Sequence, residues 1–219
     1  MFTGIIREIG TVTASSETPS GRRLQIRASL FAASIIKVGD SISVAGTCLT
    51  VTELTGDGAF FDVVPETLRK TTLEDLSVGS RCNLETSLRF GDPVDGHLVQ
   101  GHIDSAATVL ARSLEGEGAE RLEIELPSNI SHLIAQKGSI CLSGVSLTVG
   151  EVGNDSFSVY LIPHTLRETT LGDLKPGDRV NVEADCLARY ADRILGASVG
   201  ASHRASLTIQ SRGKKSRPT

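Results

Sequence analysis

Residues 41–85 recur as residues 139–183. Set at a constant offset of 98 with no gap, 21 of the 45 aligned pairs are identical. The sharpest stretch places Pro65-Glu-Thr-Leu-Arg-Lys-Thr-Thr-Leu-Glu-Asp-Leu76 against Pro163-His-Thr-Leu-Arg-Glu-Thr-Thr-Leu-Gly-Asp-Leu174. Solenoid units recur every 20 to 50 residues or so, which is too short for this spacing. The unit repeated is therefore a whole domain. A duplicated domain carries two equivalent pockets and can hold two copies of one small molecule.

A chain of 219 residues has room for two such units. Each, at about 95 residues, is near the lower size for a self-supporting core. The longest apolar run falls well short of a membrane span. The start, Met-Phe-Thr-Gly-Ile-Ile-Arg, lacks the basic-then-apolar pattern of a signal peptide. Cys48, Cys82, Cys141 and Cys186 show no CxxC spacing. The repeat sets the first three opposite Ser146, Val180 and Ser43, so it builds no matched disulfide. Reduced thiols in a cytoplasmic protein are the expectation.

Charge is unevenly placed. Residues 198–219 hold five Lys/Arg and no Asp/Glu, leaving 17 basic against 26 acidic side chains in the rest. An acidic body without a basic stripe argues against nucleic acid. The tail reads as a disordered, solubilising end.

The body reads as short strands. Gln25–Ala28, Ser41–Ala45, Leu49–Glu53, Phe60–Val64 and Arg81–Glu85 are β-branched or alternating runs between turn residues. The second half repeats them at Leu122–Leu126, Ser139–Ser143, Leu147–Glu151, Ser156–Ile162 and Arg179–Glu183. Five or six short strands per unit predict an all-β fold of two tandem antiparallel barrels. Closure also removes exposed edges. Helical insertions are expected at Leu30–Ile36, at Ile130–Ala135 and in the Thr-Leu-Arg blocks. There Thr72 with Asp75, and Thr170 with Asp173, have capping spacing. A boundary at Phe90–Asp95 gives domains of 1–95 and 96–186, followed by a helix at 187–199 and the basic tail 200–219. Leu187, Tyr190, Ala191, Ile194 and Leu195 make the helix amphipathic. It packs on its own chain or makes an oligomer contact.

Cys48-Leu49-Thr50 and Ser146-Leu147-Thr148 are repeat partners, each following a glycine turn at a strand start. Residues two apart share a strand face. If the leucine enters the core, Cys48 with Thr50, and Ser146 with Thr148, face the other way as a site. His97 and His102 are five apart, on opposite faces of a strand, which makes a shared metal ion a poor reading. One of the pair, with His102 beside Gly101 favoured over His97, is a candidate acid or base near neutral pH, or a histidine held structurally by backbone. There is no phosphate loop, no G-x-S-x-G elbow and no HExxH.

Met-Phe-Thr-Gly-Ile-Ile, Gly-x-Cys-Leu-Thr-Val, Gly-His-Leu-Val-Gln-Gly-His-Ile-Asp, Gly-Val-Ser-Leu-Thr-Val and the twin Pro-x-Thr-Leu-Arg-x-Thr-Thr-Leu blocks occur here in order. Together they resemble the riboflavin synthase family of the alpha-chain type, over residues 1 to about 197. The resemblance implies two six-stranded Greek-key barrels and a C-terminal helix that joins a homotrimer. It also points to lumazine synthase as a partner. It implies a cofactor-free, metal-free dismutation of two 6,7-dimethyl-8-ribityllumazine molecules. The products are riboflavin and 5-amino-6-(D-ribitylamino)uracil. The active site lies between the N-terminal barrel of one subunit and the C-terminal barrel of the next.

Carried over by position, the resemblance implies a catalytic set of Cys48, His102, Ser146, Thr148 and Asp185. It implies that Thr50, Leu49 and Leu147 lie at the substrate. Lys137 is expected to reach the ligand of a neighbouring chain. Gly4, Ile5, Ile6, Asp62, Val63, Val64, Pro65, Glu66 and Thr67 are expected to hold ring edges and ribityl hydroxyls. So are Gly101, His102, Ile103, Tyr160, Leu161, Ile162, Pro163, His164 and Thr165. Fluorescent antenna proteins that bind lumazine without converting it are the runner-up. A flavin-dependent reductase barrel is poorer, because it needs a nucleotide domain.

Overall fold

The structure is a computed structural model that describes residues 1–32, 36–116 and 118–196. Residues 1–185 form one unit with two closed barrels. The first contains β1 (Glu8–Thr18), β2 (Gly21–Arg27), β3 (Ser41–Val44), β4 (Thr47–Leu54), β5 (Gly58–Val63) and β6 (Arg81–Thr86), in the order β1-β2-β5-β4-β3-β6. The second contains β7 (Ser105–Glu115), β8 (Ala119–Glu125), β9 (Ser139–Leu142), β10 (Val145–Val152), β11 (Ser156–Leu161) and β12 (Arg179–Ala184), in the matching order. All pairings are antiparallel. Register shifts at Val12/Ala14 and Val51/Glu53 recur at Val109/Ala111 and Val149/Val152. Such bulges bend a strand, and bending is what lets six strands close.

Each barrel has its own core. Leu24, Ile26, Val51, Phe61 and Leu84 fill the first, and Leu122, Ile124, Val149, Phe157 and Val182 the second. The helical insertion at Ile130–Ala135 is shorter than expected. Ser29–Ala32 and Ser131–Leu133 are single 3-10 turns, and residues 33–35 lie outside the described part. The Pro-x-Thr-Leu-Arg blocks form α1 (Pro65–Lys70) and α2 (Pro163–Glu168), each with proline in its first turn. The capping threonine of the 3-10 turn that follows is Thr71, not Thr72, and Thr169, not Thr170. Their hydroxyls accept from Leu73 N and Leu171 N.

The barrels are joined through β6 and β12. Cys82 and Leu84 point into one core, Val180 and Val182 into the other. The alternate residues, Asn83 with Glu85 and Asn181 with Glu183, are buried too. Protein, not solvent, covers that face: the opposite barrel at the asparagines and the segments at residues 3–4 and 100–102 at the glutamates. Asn83 Nδ2 donates to Ser143 O (2.9 Å) and its Oδ1 accepts from Thr170 N (2.8 Å). Asn181 Nδ2 donates to Ala45 O (2.8 Å) and its Oδ1 accepts from Thr72 N (2.7 Å). The reciprocal ion pairs Arg81–Asp173 and Arg179–Asp75 repeat the relation. Phe2 and Val99, also repeat partners, form an antiparallel bridge. The two halves are thus related by a local two-fold axis.

The second unit begins at Cys186 and is helical over residues 186–196. Leu187, Tyr190, Ile194 and Leu195 are exposed on it. The expected extension to Val199 and the basic tail 200–219 lie outside the described residues.

Candidate functional site

Two cavities sit at corresponding positions on the two barrels. One, of about 200 Å³, is lined by Thr47, Cys48, Glu66, Thr67, Lys70, Thr71, Gly101, His102 and Ile103. The other, of about 580 Å³, is lined by Ile5, Asp95, Gly96, Ser139, Ser146, Leu147, Thr148, Val149, Gly150, Tyr160, Ile162 and Thr165. Among the described residues the two share no lining residue. A larger cavity of about 700 Å³ lies on the local two-fold axis, walled by the Arg81–Asp173 and Arg179–Asp75 pairs. Its polar groups are spent joining the barrels, so the site is assigned to the paired motif cavities.

The strand alternation explains the lining. In β4 Leu49 is buried in the core, leaving Cys48 half-buried and Thr50 exposed on the outer face. In β10 Leu147 is only partly buried, Ser146 half-buried and Thr148 exposed. A loop then closes over each strand start. Gly101 O accepts from Cys48 N (2.9 Å), and Gly4 O accepts from Ser146 N (2.8 Å). Both glycines have positive φ, and an added Cβ would lie 2.6 Å from the Cys48 Cβ or 2.5 Å from the Ser146 Cβ. Only glycine allows this approach.

The pockets correspond in position, through Cys48 with Ser146 and Thr67 with Thr165, and differ in size and chemistry. His97 Nδ1 lies 2.7 Å from Ser146 Oγ. Burial lowers the His97 pKa from its ordinary value, and the charge of Asp185 opposes the shift. With its proton on Nε2, a neutral imidazole would accept a hydrogen bond from the Ser146 hydroxyl at Nδ1, a base-on-hydroxyl arrangement within the field of Asp185. The Cys48 cavity has His102 at its wall instead.

Other expected residues are dispersed. Val63 and Leu161 are core residues, so only their backbones are available to a ligand. Asp62, Val64, Pro65, Pro163 and His164 are exposed beside the cavities, and Ile6 packs on the second core. Asp185 lies outside both linings but acts on His97. Lys137 is exposed on the turn before β9, with its φ at 65°. The repeat places Gly39 (φ 95°) there. Their bonds match: Lys137 N donates to Val149 O and Gly39 N to Val51 O. A lysine held in a glycine conformation is backbone strain of the kind found at functional sites.

Thr47, Lys70, Thr71, Asp95, Gly96, Ser139, Val149 and Gly150 carry no signal in the sequence, and of the pair His97 and His102 the sequence favours His102. Residues 97–102 are irregular apart from the Val99 bridge, not a strand. In a loop the period-two rule says nothing about where His97 points.

Residues 3–87 and 100–185 each match the Lumazine binding domain family. The chain is 43% identical over 199 residues to the riboflavin synthase of Mycobacterium tuberculosis (strain ATCC 25618 / H37Rv), covering 89% of this chain and 98% of that protein. It is 39% identical over 202 residues to the riboflavin synthase of Escherichia coli (strain K12), covering 90% and 94%. Among solved structures, LumP complexed with 6,7-dimethyl-8-(1'-D-ribityl) lumazine superposes with a TM-score of 0.75 at 28% identity, covering 84% of this chain and 99% of that one. LumP complexed with riboflavin gives 0.77 at 29% identity, with the same coverage.

Proposed function

The chain belongs to the riboflavin synthase family, and from that premise we propose that it dismutates two molecules of 6,7-dimethyl-8-ribityllumazine. One molecule gives a four-carbon unit to the other, leaving riboflavin and 5-amino-6-(D-ribitylamino)uracil. Atoms and electrons balance between the two molecules, so no oxidant or reductant enters.

The observation that carries this reading is a pair of pockets equal in position and unlike in chemistry. Two identical molecules must become donor and acceptor, and identical pockets could not tell them apart. Here one pocket has the Cys48 thiol with His102, and the other has the Ser146 hydroxyl on His97. Proton removal from the acidic C7 methyl suits a neutral imidazole. Anionic ring positions suit the hydroxyls and backbone N–H groups around it. Holding both rings removes the entropic cost of a bimolecular step.

The two pockets of one chain share no lining residue, which supports rings that meet from facing pockets of two chains. A homotrimer joined through the C-terminal helix is part of this proposal, supported by the exposed Leu187, Tyr190, Ile194 and Leu195. A cytoplasmic location is supported by the four free cysteines. Association with lumazine synthase has the family resemblance alone behind it.

Incubating the purified chain with the lumazine in chelator, and following riboflavin absorbance, tests the function. One riboflavin per two lumazines consumed is expected. Tight binding without turnover would support the antenna reading instead.

Lys137 gives a further prediction. Lys137→Gly relieves the left-handed strain, offset by the larger chain entropy of glycine. The variant should match or exceed the parent in stability by up to about 1 kcal/mol while its KM for lumazine rises. Thermal melts and steady-state kinetics check both halves. A destabilised variant with unchanged KM would assign Lys137 to the fold instead.

A further inference from the structure

Two carboxylates lie under the cavities, and the mechanism above does not use them. Glu85 on β6 and Glu183 on β12 are each 2% exposed. Glu183 accepts from Gln100 N (2.8 Å) on one oxygen and from Gly101 N (2.9 Å) and His102 N (3.2 Å) on the other. Glu85 accepts from Thr3 N (2.7 Å) and Thr3 Oγ1 (2.7 Å) on one oxygen and from Gly4 N (3.0 Å) on the other. Burying a carboxylate is costly unless donors surround it, and bonds to the charged form are the stronger kind. Burial raises both pKa values, and the hydrogen bonds oppose the rise, that of the Thr3 hydroxyl first at Glu85 and those of the backbone N–H groups at Glu183.

The connections cross. Glu183 belongs to the second barrel, yet the loop it holds bonds Cys48 on the first through Gly101 O. His102 and Ile103 of that loop wall the Cys48 cavity. Glu85 belongs to the first barrel, yet its loop bonds Ser146 on the second through Gly4 O. Ile5 of that loop walls the Ser146 cavity. Neither barrel completes its own pocket.

We infer that Glu183 and Glu85 are positioning residues acting crosswise, the carboxylate of each barrel setting the pocket wall of the other. The catalytic part of this inference rests on the proposed synthase reading; the crossing itself does not.

Cys48 supplies a local readout. It is the half-buried cysteine, while Cys82, Cys141 and Cys186 are buried. Burial pushes the Cys82 thiol up to about 12 and raises that of Cys141 as well. Iodoacetamide should therefore alkylate Cys48 first. Glu183→Gln keeps the shape but sets an amide N–H₂ against N–H donors. It should change the Cys48 alkylation rate severalfold. Glu85→Gln, on Cys48's own barrel, should leave that rate near the parent's. Both should lower kcat more than they raise KM. Glu183→Asp and Thr3→Val are the milder variants should either glutamine variant fold poorly. Glu183→Asp should shift the alkylation rate in the same direction by less, and Thr3→Val should lower kcat without shifting it. Equal effects of the two carboxylates on Cys48, or none from Glu183, would overturn the crossed arrangement. A parent chain that alkylates as expected but makes no riboflavin would overturn the synthase reading alone.

Discussion

His97→Gln should lower kcat by about 10²-fold or more, the usual range for a lost general base, with lumazine affinity changed little. Glutamine still offers Ser146 an acceptor oxygen, so the hydroxyl stays in place. It takes no proton, so only proton transfer is lost. The pH profile separates this from mere loosening. His97 must be neutral to accept a proton. Burial lowers its pKa from the ordinary 6.5, so the parent should keep activity on acidification until a pH below that value. As pH falls through the lowered pKa, imidazolium forms and kcat/KM falls. The variant should lose that acid limb. Asp185 raises the His97 pKa. Asp185→Asn should therefore move the limb to still lower pH. A glutamine variant with parental turnover, or with the same limb, would assign the proton transfer elsewhere, His102 being the next candidate.

A stop codon before Cys186 should reduce turnover by orders of magnitude and leave two folded barrels. Each barrel closes its own sheet and fills its own core upstream of residue 186. The cavity linings also lie upstream, so each barrel should still bind one lumazine. What goes is the pairing of pockets between chains, and with it an effective molarity that reaches about 10⁵ M or more in well-oriented systems. Sedimentation of both forms reads the assembly, and riboflavin absorbance reads the turnover. A truncated chain with the parental mass, or a monomer with parental turnover, would show that residues 186–196 make no oligomer contact.

The barrel fold was legible because short alternating strands occur twice in register. Leu49 in the core with Cys48 and Thr50 outside it follows from period two alone. The long strands β1 and β7 were not legible. Glu8–Thr18 and Ser105–Glu115 are rich in Ser, Thr and Ala, and the bulges at Val12/Ala14 and Val109/Ala111 break their alternation. Asn83, Glu85, Asn181 and Glu183 look solvent-facing in an alternating strand. The opposite barrel covers the two asparagines, and the segments at residues 3–4 and 100–102 cover the two glutamates; periodicity within one strand carries no information about such neighbours. The pairing of His97 with Ser146 spans 49 residues and depends on an irregular loop. The repeat could hint at it only through Phe2 and Val99, whose bridge fixes where that loop runs.

In this reading, catalysis joins a first-barrel pocket of one chain to a second-barrel pocket of another. Complementation tests it most directly. Thr67→Arg plugs the Cys48 cavity, and Thr165→Arg plugs the Ser146 cavity. Each variant alone should be inactive. In a cyclic assembly with head-to-tail contacts, co-expression at equal levels should restore about a quarter of the parental sites, because some contacts then join two open pockets. Recovery of riboflavin formation near that fraction is the predicted result. No recovery from a mixed assembly of folded chains would mean that both pockets must come from one chain, contradicting the account.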